Sequence, residues 1–316
     1  MKLVSFTYEG HHRIGCVVEN QVIDLNLACQ SMLEAEGKLR ARQIAEAYVP
    51  ANMREFLQGG EESLSMAKKA MKFVLLKSGN SPYKTIHLLS EVKLQAPIQH
   101  QGKIICVGHN YREHILEMGR ELPDYPVLFA KFANTIIGPE EDIPLYPISE
   151  QLDYEAELAF VIGKQARNVA KEQALDYVAG YTIANDVSYR DLQKRTLQWL
   201  QGKSVDGSAP MGPWIVTGDE LGDPGSLELV LTVNGKERQR SNTRNLVFTV
   251  PFLVEFLSGL MTLEPGDVIL TGTPGGVGVA RNPQAFLKDG DVVRIEIEGI
   301  GVLENRVKKQ DWRNGK

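Results

Sequence analysis

Cysteine is scarce in this chain: Cys16, Cys29 and Cys106 are an odd set without Cys-x-x-Cys spacing. That argues against a disulfide framework or a thiolate zinc site and for reduced, packed thiols. No stretch approaches the ~18 consecutive apolar residues that span a bilayer, and residues 1–7 lack the apolar core of a secretory signal. The expectation is a cytoplasmic protein that does not enter a membrane. Basic charge is also short: 35 Lys and Arg stand against 40 Asp and Glu, a net charge of -5 with pI near 5.8. With no local basic cluster, nucleic acid is not an expected partner. Low-complexity tracts and internal repeats are missing too. What remains is a soluble globular composition, 43% apolar and 24% charged over 316 residues, enough for one large or two ordinary domains.

Turn-bounded alternation gives short strands near residues 3–7, 13–18 and 21–25. From residue 26 to about 78 the apolar period becomes helical, interrupted by Pro50 and Gly59-Gly60. The chain returns to extended segments at 86–89 and 92–94 and reaches a linker at 96–102. Residues 1–98 are therefore expected to form a smaller α/β domain and 99–316 the larger one. His11, His12, His87 and His100 have no cysteine or carboxylate at ligand spacing and are read as packing or surface residues.

The richest stretch is Leu152-Asp153-Tyr154-Glu155-Ala156-Glu157-Leu158, running on to Ile162. In an extended chain Asp153, Glu155 and Glu157 share one face. The apolar continuation carries that strand into a core, where neighbouring carboxylates stay partly protonated or gather around a cation. An oxygen-only set suits a hard metal such as Mg²⁺, Mn²⁺ or Ca²⁺. The plain alternative is an edge strand with a solvated acidic face.

Other chemistry-bearing residues lie on either side. Asn110 can cap a short helix with Glu113 at the capping-box position, and that helix places His114 and Glu117 at i, i+3. A surface ion pair is the commoner use of such a spacing. Lys131 sits in an apolar strand. Residues 174–179 read as helix, and a buried strand over 180–186 ends in Asp186, either a turn residue or a third carboxylate. Ser188 is a candidate cap for a helix carrying Arg190 and Gln193. Lys203 follows Gly202, but Leu197 stands where a phosphate-binding loop needs glycine, so Lys203 is read as a lone cation for an anionic substrate. Asn234-Gly235 signals a hairpin. Residues 267–278 form a strand running into a glycine-rich loop without dinucleotide spacing, which implies close backbone approach to a small ligand.

Taken together, Gly108-His109-Asn110-Tyr111 with His114 and Glu117, Asp153-Tyr154-Glu155-Ala156-Glu157, Asp186 with Arg190 and Gln193, Lys203, and Thr271-Gly272-Thr273-Pro274-Gly275-Gly276 resemble the fumarylacetoacetate hydrolase family, including its acylpyruvate and fumarylpyruvate hydrolases and hydroxyheptadienedioate isomerases. The resemblance covers roughly residues 103–308. It implies a mixed α/β, predominantly β fold built as a β-sandwich roll, preceded by the smaller N-terminal α/β domain and usually found as a homodimer. It further implies that Glu155, Glu157 and Asp186 ligate Mg²⁺ or Mn²⁺, and that Asp153 does not. His114 and Glu117 would be the general-base pair, Lys203 the cation beside developing negative charge, and Arg190, Gln193, Thr273, Tyr111 and His109 the substrate contacts.

Such a site is expected to stabilise an enolate of a small anionic 2-oxo acid. The principal expectation is hydrolysis of the C–C bond of a 2,4-dioxo acid, with His114 activating water and pyruvate leaving as its enolate. An oxaloacetate-type decarboxylase or a hydroxymuconate-type isomerase could use the same site. A ligand-binding module without turnover is the alternative from outside enzymology.

Overall fold

The computed structural model describes residues 1–76, 82–99 and 102–311. His100 in the expected linker and the end of the helical segment near residue 78 lie outside these. Strands predominate over helices, in a mixed α/β architecture as expected. Among the described residues the strands form a twelve-stranded sheet, a five-stranded sheet and a two-stranded ribbon. No described helix is long and apolar enough to cross a membrane.

The central strand Ala156–Ile162 is buried along its whole length. Leu158, Phe160 and Ile162 point to one side, where they meet Leu229, Leu231, Val293 and Ile295 of the five-stranded sheet. Ala159 and Val161 point to the other, into a core shared with Ala28, Met32, Phe56, Ala67 and Ala70 of the N-terminal helices. Burial on both faces is why this segment reads as a continuous apolar run. The result is three layers: small sheet, large sheet, helices.

Residues of the first hundred contribute Lys2–Tyr8, His11–Val18, Gln21–Asp24 and Ile86–Leu88 to the large sheet. They join it where Lys2 and Leu3 pair with Val216 and Ile215. The helical insertion is Leu25–Ala35, Ala41–Tyr48, Met53–Gln58 and Gly60–Leu76, its breaks falling at Pro50 and Gly59. The Asn234-Gly235 hairpin forms with both residues at positive φ, 52° and 73°.

Local expectations fail where tertiary partners compete. Asn110 does not cap a helix: its amide donates to the carbonyls of Phe248 and Thr271 and accepts from Phe248 N–H. The helix Arg112–Glu117 starts one residue later without a side-chain cap, and Glu113 accepts from Asn245 instead. Residues 171–177 form a 3-10 helix, Lys171–Tyr177, and 178 onward is strand. Ser188 belongs to a two-residue strand paired with Leu152–Asp153, and its hydroxyl donates to Asp186 O rather than capping Arg190–Gln193.

Candidate metal and substrate site

Three elements converge at one end of the central strand. Glu157 lies within Ala156–Ile162, Glu155 just ahead of it, and Asp186 just past the antiparallel neighbour Val178–Asn185. Ala156 pairs with Asn185, Asp186 N–H donates to Glu155 O, and Glu155 N–H to Asn185 Oδ1. This register sets the two acids side by side. One oxygen from each of Glu155, Glu157 and Asp186 lies within 4.8 Å of the others, and all three residues are buried.

Asp153 does not join them, because the strand breaks at Tyr154-Glu155 and the face-sharing argument ends there. It accepts from Gly278 N–H (2.8 Å), Val279 N–H (3.0 Å) and Arg190 Nε (2.8 Å), and so holds the arginine and the glycine loop in place.

Buried cations balance the acids. Lys203 Nζ lies 2.7 Å from Glu155 Oε2 and 2.6 Å from Asp186 Oδ2, on a helical turn, Leu200–Lys203, with the Phe129 ring beneath it at 4.9 Å. Lys131 Nζ, 2.8 Å from the other Asp186 oxygen, is a member that sequence reading left unassigned. Arg190 Nη2 stands 2.7 Å from Glu155 Oε1, off the line of its N–H bonds, and Nη1 donates to Gln193 Oε1.

Charge environment separates two acids only two residues apart. Burial alone would raise the Glu155 carboxyl, but Lys203 and Arg190 outweigh it and hold it at about 2. Burial and the nearby Asp186 and Glu155 charges push Glu157 well above the carboxylate range, against Lys203 and the Gly272 N–H that donates to it at 2.6 Å. The upward push on Glu157 from its neighbours marks a site crowded with carboxylates. Three buried oxygen donors in that state fit a hard divalent cation.

The glycine loop serves these acids rather than a ligand directly. Its amides point at carboxylates: Gly272 at Glu157, Gly276 at Glu117 (3.0 Å), Gly278 at Asp153. Gly276 has φ +97°, and a Cβ there would fall 2.1 Å from Arg238 O, so only glycine allows the turn.

A cavity of about 190 Å³ opens over the cluster. Glu155, Glu157, Arg190, Gln193, Lys203, Thr273, His109 and His114 line it. Asp186, fully buried, and Glu117, exposed, do not line it. His114 Nδ1 is 3.5 Å from Glu117 Oε2. His114 draws the Glu117 carboxyl below its usual range, burial opposes this in part, and Gly276 N–H adds to the lowering. Thr273 Oγ1 accepts from Gln239.

Tyr111, expected to touch substrate, is fully buried and absent from the cavity wall. Its backbone bridges to Leu246 and burial raises its phenol strongly. Arg120, Lys194 and Trp199 also line the cavity, and sequence reading had given none of them a role. A larger cleft of about 460 Å³ lies elsewhere, between the N-terminal helices and the sheet. Glu61, Asp176 and Asp219 line it, but among the described residues they do not gather as the triad does.

Residues 103–308 match the family described as fumarylacetoacetate (FAA) hydrolase C-terminal. A Xenopus laevis protein named oxaloacetate tautomerase fahd2, mitochondrial, is 47% identical over 263 residues, 82% of this chain and 79% of that one. The solved fumarylacetoacetate hydrolase of Exiguobacterium antarcticum is 37% identical, with TM-score 0.79 over 98% of this chain and all of the other. Maleylpyruvate hydrolase from Sphingobium sp. SYK-6, solved with manganese(II) and pyruvate, is 29% identical with TM-score 0.74 over 98% and 100%. The cytoplasmic expectation is corrected by these findings: the Xenopus relative is named as mitochondrial, and an N-terminus without a secretory core does not speak to that compartment.

Proposed function

Because the chain belongs to the fumarylacetoacetate hydrolase family, we propose that it is a divalent-metal-dependent enzyme that shifts a proton between C3 and the C2 oxygen of a short 2-oxo diacid, interconverting the keto and enol forms of oxaloacetate. The observation that carries this reading is one small cavity lined by Glu155, Glu157, Arg190, Lys203 and His114, with Asp186, Lys131 and Glu117 each paired to a member of that set or to one another. The tautomerase relative at 47% identity supplies the substrate class.

Glu155, Glu157 and Asp186 would hold Mg²⁺ or Mn²⁺. When bound, the metal supplies Lewis acidity toward the 2-oxo oxygen and so acidifies C3. Everything else falls to the chain. A proton on His114 Nδ1, facing Glu117, leaves Nε2 with its lone pair toward the cavity. Nε2 removes the C3 proton and hands a proton on to the C2 oxygen, directly or through water, so that the C2 carbonyl becomes C2–OH and His114 returns to its starting state. Lys203 stays charged, since Asp186 and Glu155 raise it against burial, and offsets the charge that builds on oxygen. Arg190 and Gln193 orient the C1 carboxylate.

This reading replaces C–C hydrolysis as the principal one, supported by the relative at 47% identity that is named a tautomerase. Hydrolysis of a 2,4-dioxo acid stays as a second reading, favoured by the likeness to maleylpyruvate hydrolase. The deciding assay follows enol absorbance of oxaloacetate with Mg²⁺ or Mn²⁺, subtracting metal-only blanks, alongside pyruvate release from acetylpyruvate and maleylpyruvate. Fast keto–enol equilibration without CO₂ release, lost in His114→Ala, supports the proposal. Faster pyruvate release from the dioxo acids would overturn it in favour of the hydrolase.

A further inference from the structure

The triad, His114 and Arg190 account for one end of a substrate, and two further cations of the cavity lining have no acids to explain them. Arg120 and Lys194 both line the cavity, and among the described residues neither has a carboxylate within ion-pair distance. Arg120 Nη1 instead lies 2.6 Å from His109 Nε2. A guanidinium can only donate, so Nε2 must accept, and the imidazole is neutral with its proton on Nδ1. That Nδ1–H is buried and has no partner among the described residues.

A buried donor without an acceptor is uncommon and asks for an explanation. His109 is held in this orientation at some conformational cost. Its φ is +52°, a left-handed value on a residue with a side chain. Trp199 packs edge-on against its ring at 5.3 Å, and the His114 ring lies nearly parallel at 6.2 Å. The spare donor is therefore fixed beside the proposed base.

We infer that Arg120 and His109 form an anion subsite for the distal carboxylate of the substrate, the one carried on C3, and so select diacids over monocarboxylic 2-oxo acids. The guanidinium supplies charge and His109 Nδ1–H a directed hydrogen bond, with Lys194 adding long-range attraction. The short separation of the two histidine rings matches a carboxylate attached directly to the carbon that loses its proton. This inference rests on the proposed function.

The test uses the full chain loaded with Mg²⁺. Calorimetry gives affinities for oxalate, which has no distal carboxylate on a C3 carbon, for pyruvate and for oxaloacetate, and kinetics gives KM and kcat for oxaloacetate. Arg120→Gln and His109→Phe should weaken oxaloacetate by roughly 10- to 100-fold, the size of one charge-assisted hydrogen bond, with the effect on KM. Oxalate and pyruvate should change less than about threefold, within the spread of indirect effects. His109→Gln, which restores a donor, should recover part of the loss. Equal weakening of all three ligands, or none, overturns the subsite. If wild type binds oxaloacetate with this preference but does not tautomerise it, the functional reading fails while the subsite stands.

Discussion

Glu155 and Glu157 are both buried and two residues apart, yet replacing each with its neutral isostere should affect the metal-free protein differently. Glu155→Gln leaves Lys203 and Arg190 facing an amide in place of a carboxylate at 2.7 Å. Lys203 keeps Asp186 and Arg190 keeps Asp153, so the cost belongs at the low end for a broken buried pair, about 3 kcal/mol. Glu157 is already protonated without metal, and Gln can still accept from Gly272 N–H. At or below about pH 4.5 its substitution should change stability by less than about 1 kcal/mol, and at higher pH it should be stabilising. Urea unfolding in EDTA measures both, and repetition with Mg²⁺ or Mn²⁺ should show metal stabilisation diminished in each variant. The pH dependence has a definite sign. Below the ordinary value of 4.5 Glu157 is protonated in both states and contributes nothing. Above it the unfolded chain releases a proton that the folded chain retains, so wild type loses stability as pH rises toward the folded pKa. The stability difference, wild type minus Glu157→Gln, should therefore fall with pH. Equal costs for the two variants in EDTA, or a difference that rises with pH, would refute the charge assignment.

Asp153→Asn should destabilise by about 3 kcal/mol, because Arg190 loses a buried counter-charge; urea unfolding and a raised KM for oxaloacetate report it. His114→Gln should lower kcat by about 10²- to 10⁴-fold, the usual loss for a general base, while calorimetry still detects metal binding at the triad. Gly202→Ala would place a Cβ 2.5 Å from Gln193 N and Tyr189 O; overpacking of about 1–3 kcal/mol and a displaced Lys203 should appear as a lower urea midpoint and a slower rate.

The parts of the molecule legible in the sequence are those set by local or periodic rules. Asn234-Gly235 announces a hairpin because two consecutive left-handed residues are required there. The apolar run 158–162 announces a strand covered on both faces. Glu155, Glu157 and Asp186 could be listed as candidates because carboxylates entering a buried strand demand a partner, and the family resemblance chose Asp186 over Asp153. What escaped depends on distant partners. Lys131 reaches an acid 55 positions along the chain, and nothing around it signals that contact. Asn110 has the local pattern of a cap, but carbonyls 138 and 161 positions away claim its amide. The loop at 272–278 shows by its glycines that something approaches the backbone closely, without showing that it is the site's own acids. Arg120 lies in a polar stretch with no period to place it.

The balance of charge and the space available together narrow the chemistry. Lys131, Lys203 and Arg190 meet the triad, and Arg190 is shared with Asp153. A divalent cation added among these groups releases the proton of Glu157 and leaves a local excess of positive charge that an anionic ligand must complete. Arg120 and Lys194 add to that excess along the cavity lining, which favours a ligand with more than one negative charge. The cavity, about 190 Å³, is small beside the ~300–1,000 Å³ of typical ligand pockets, and Phe129, Trp199, Val277 and Val279 narrow it. A four-carbon diacid fits such a space with both charges matched. A 2,4-dioxo acid with a long acyl chain would have to displace the Trp199–His109 contact to bring its C4 carbonyl near His114, so rates across acylpyruvates of increasing length should fall as the chain grows.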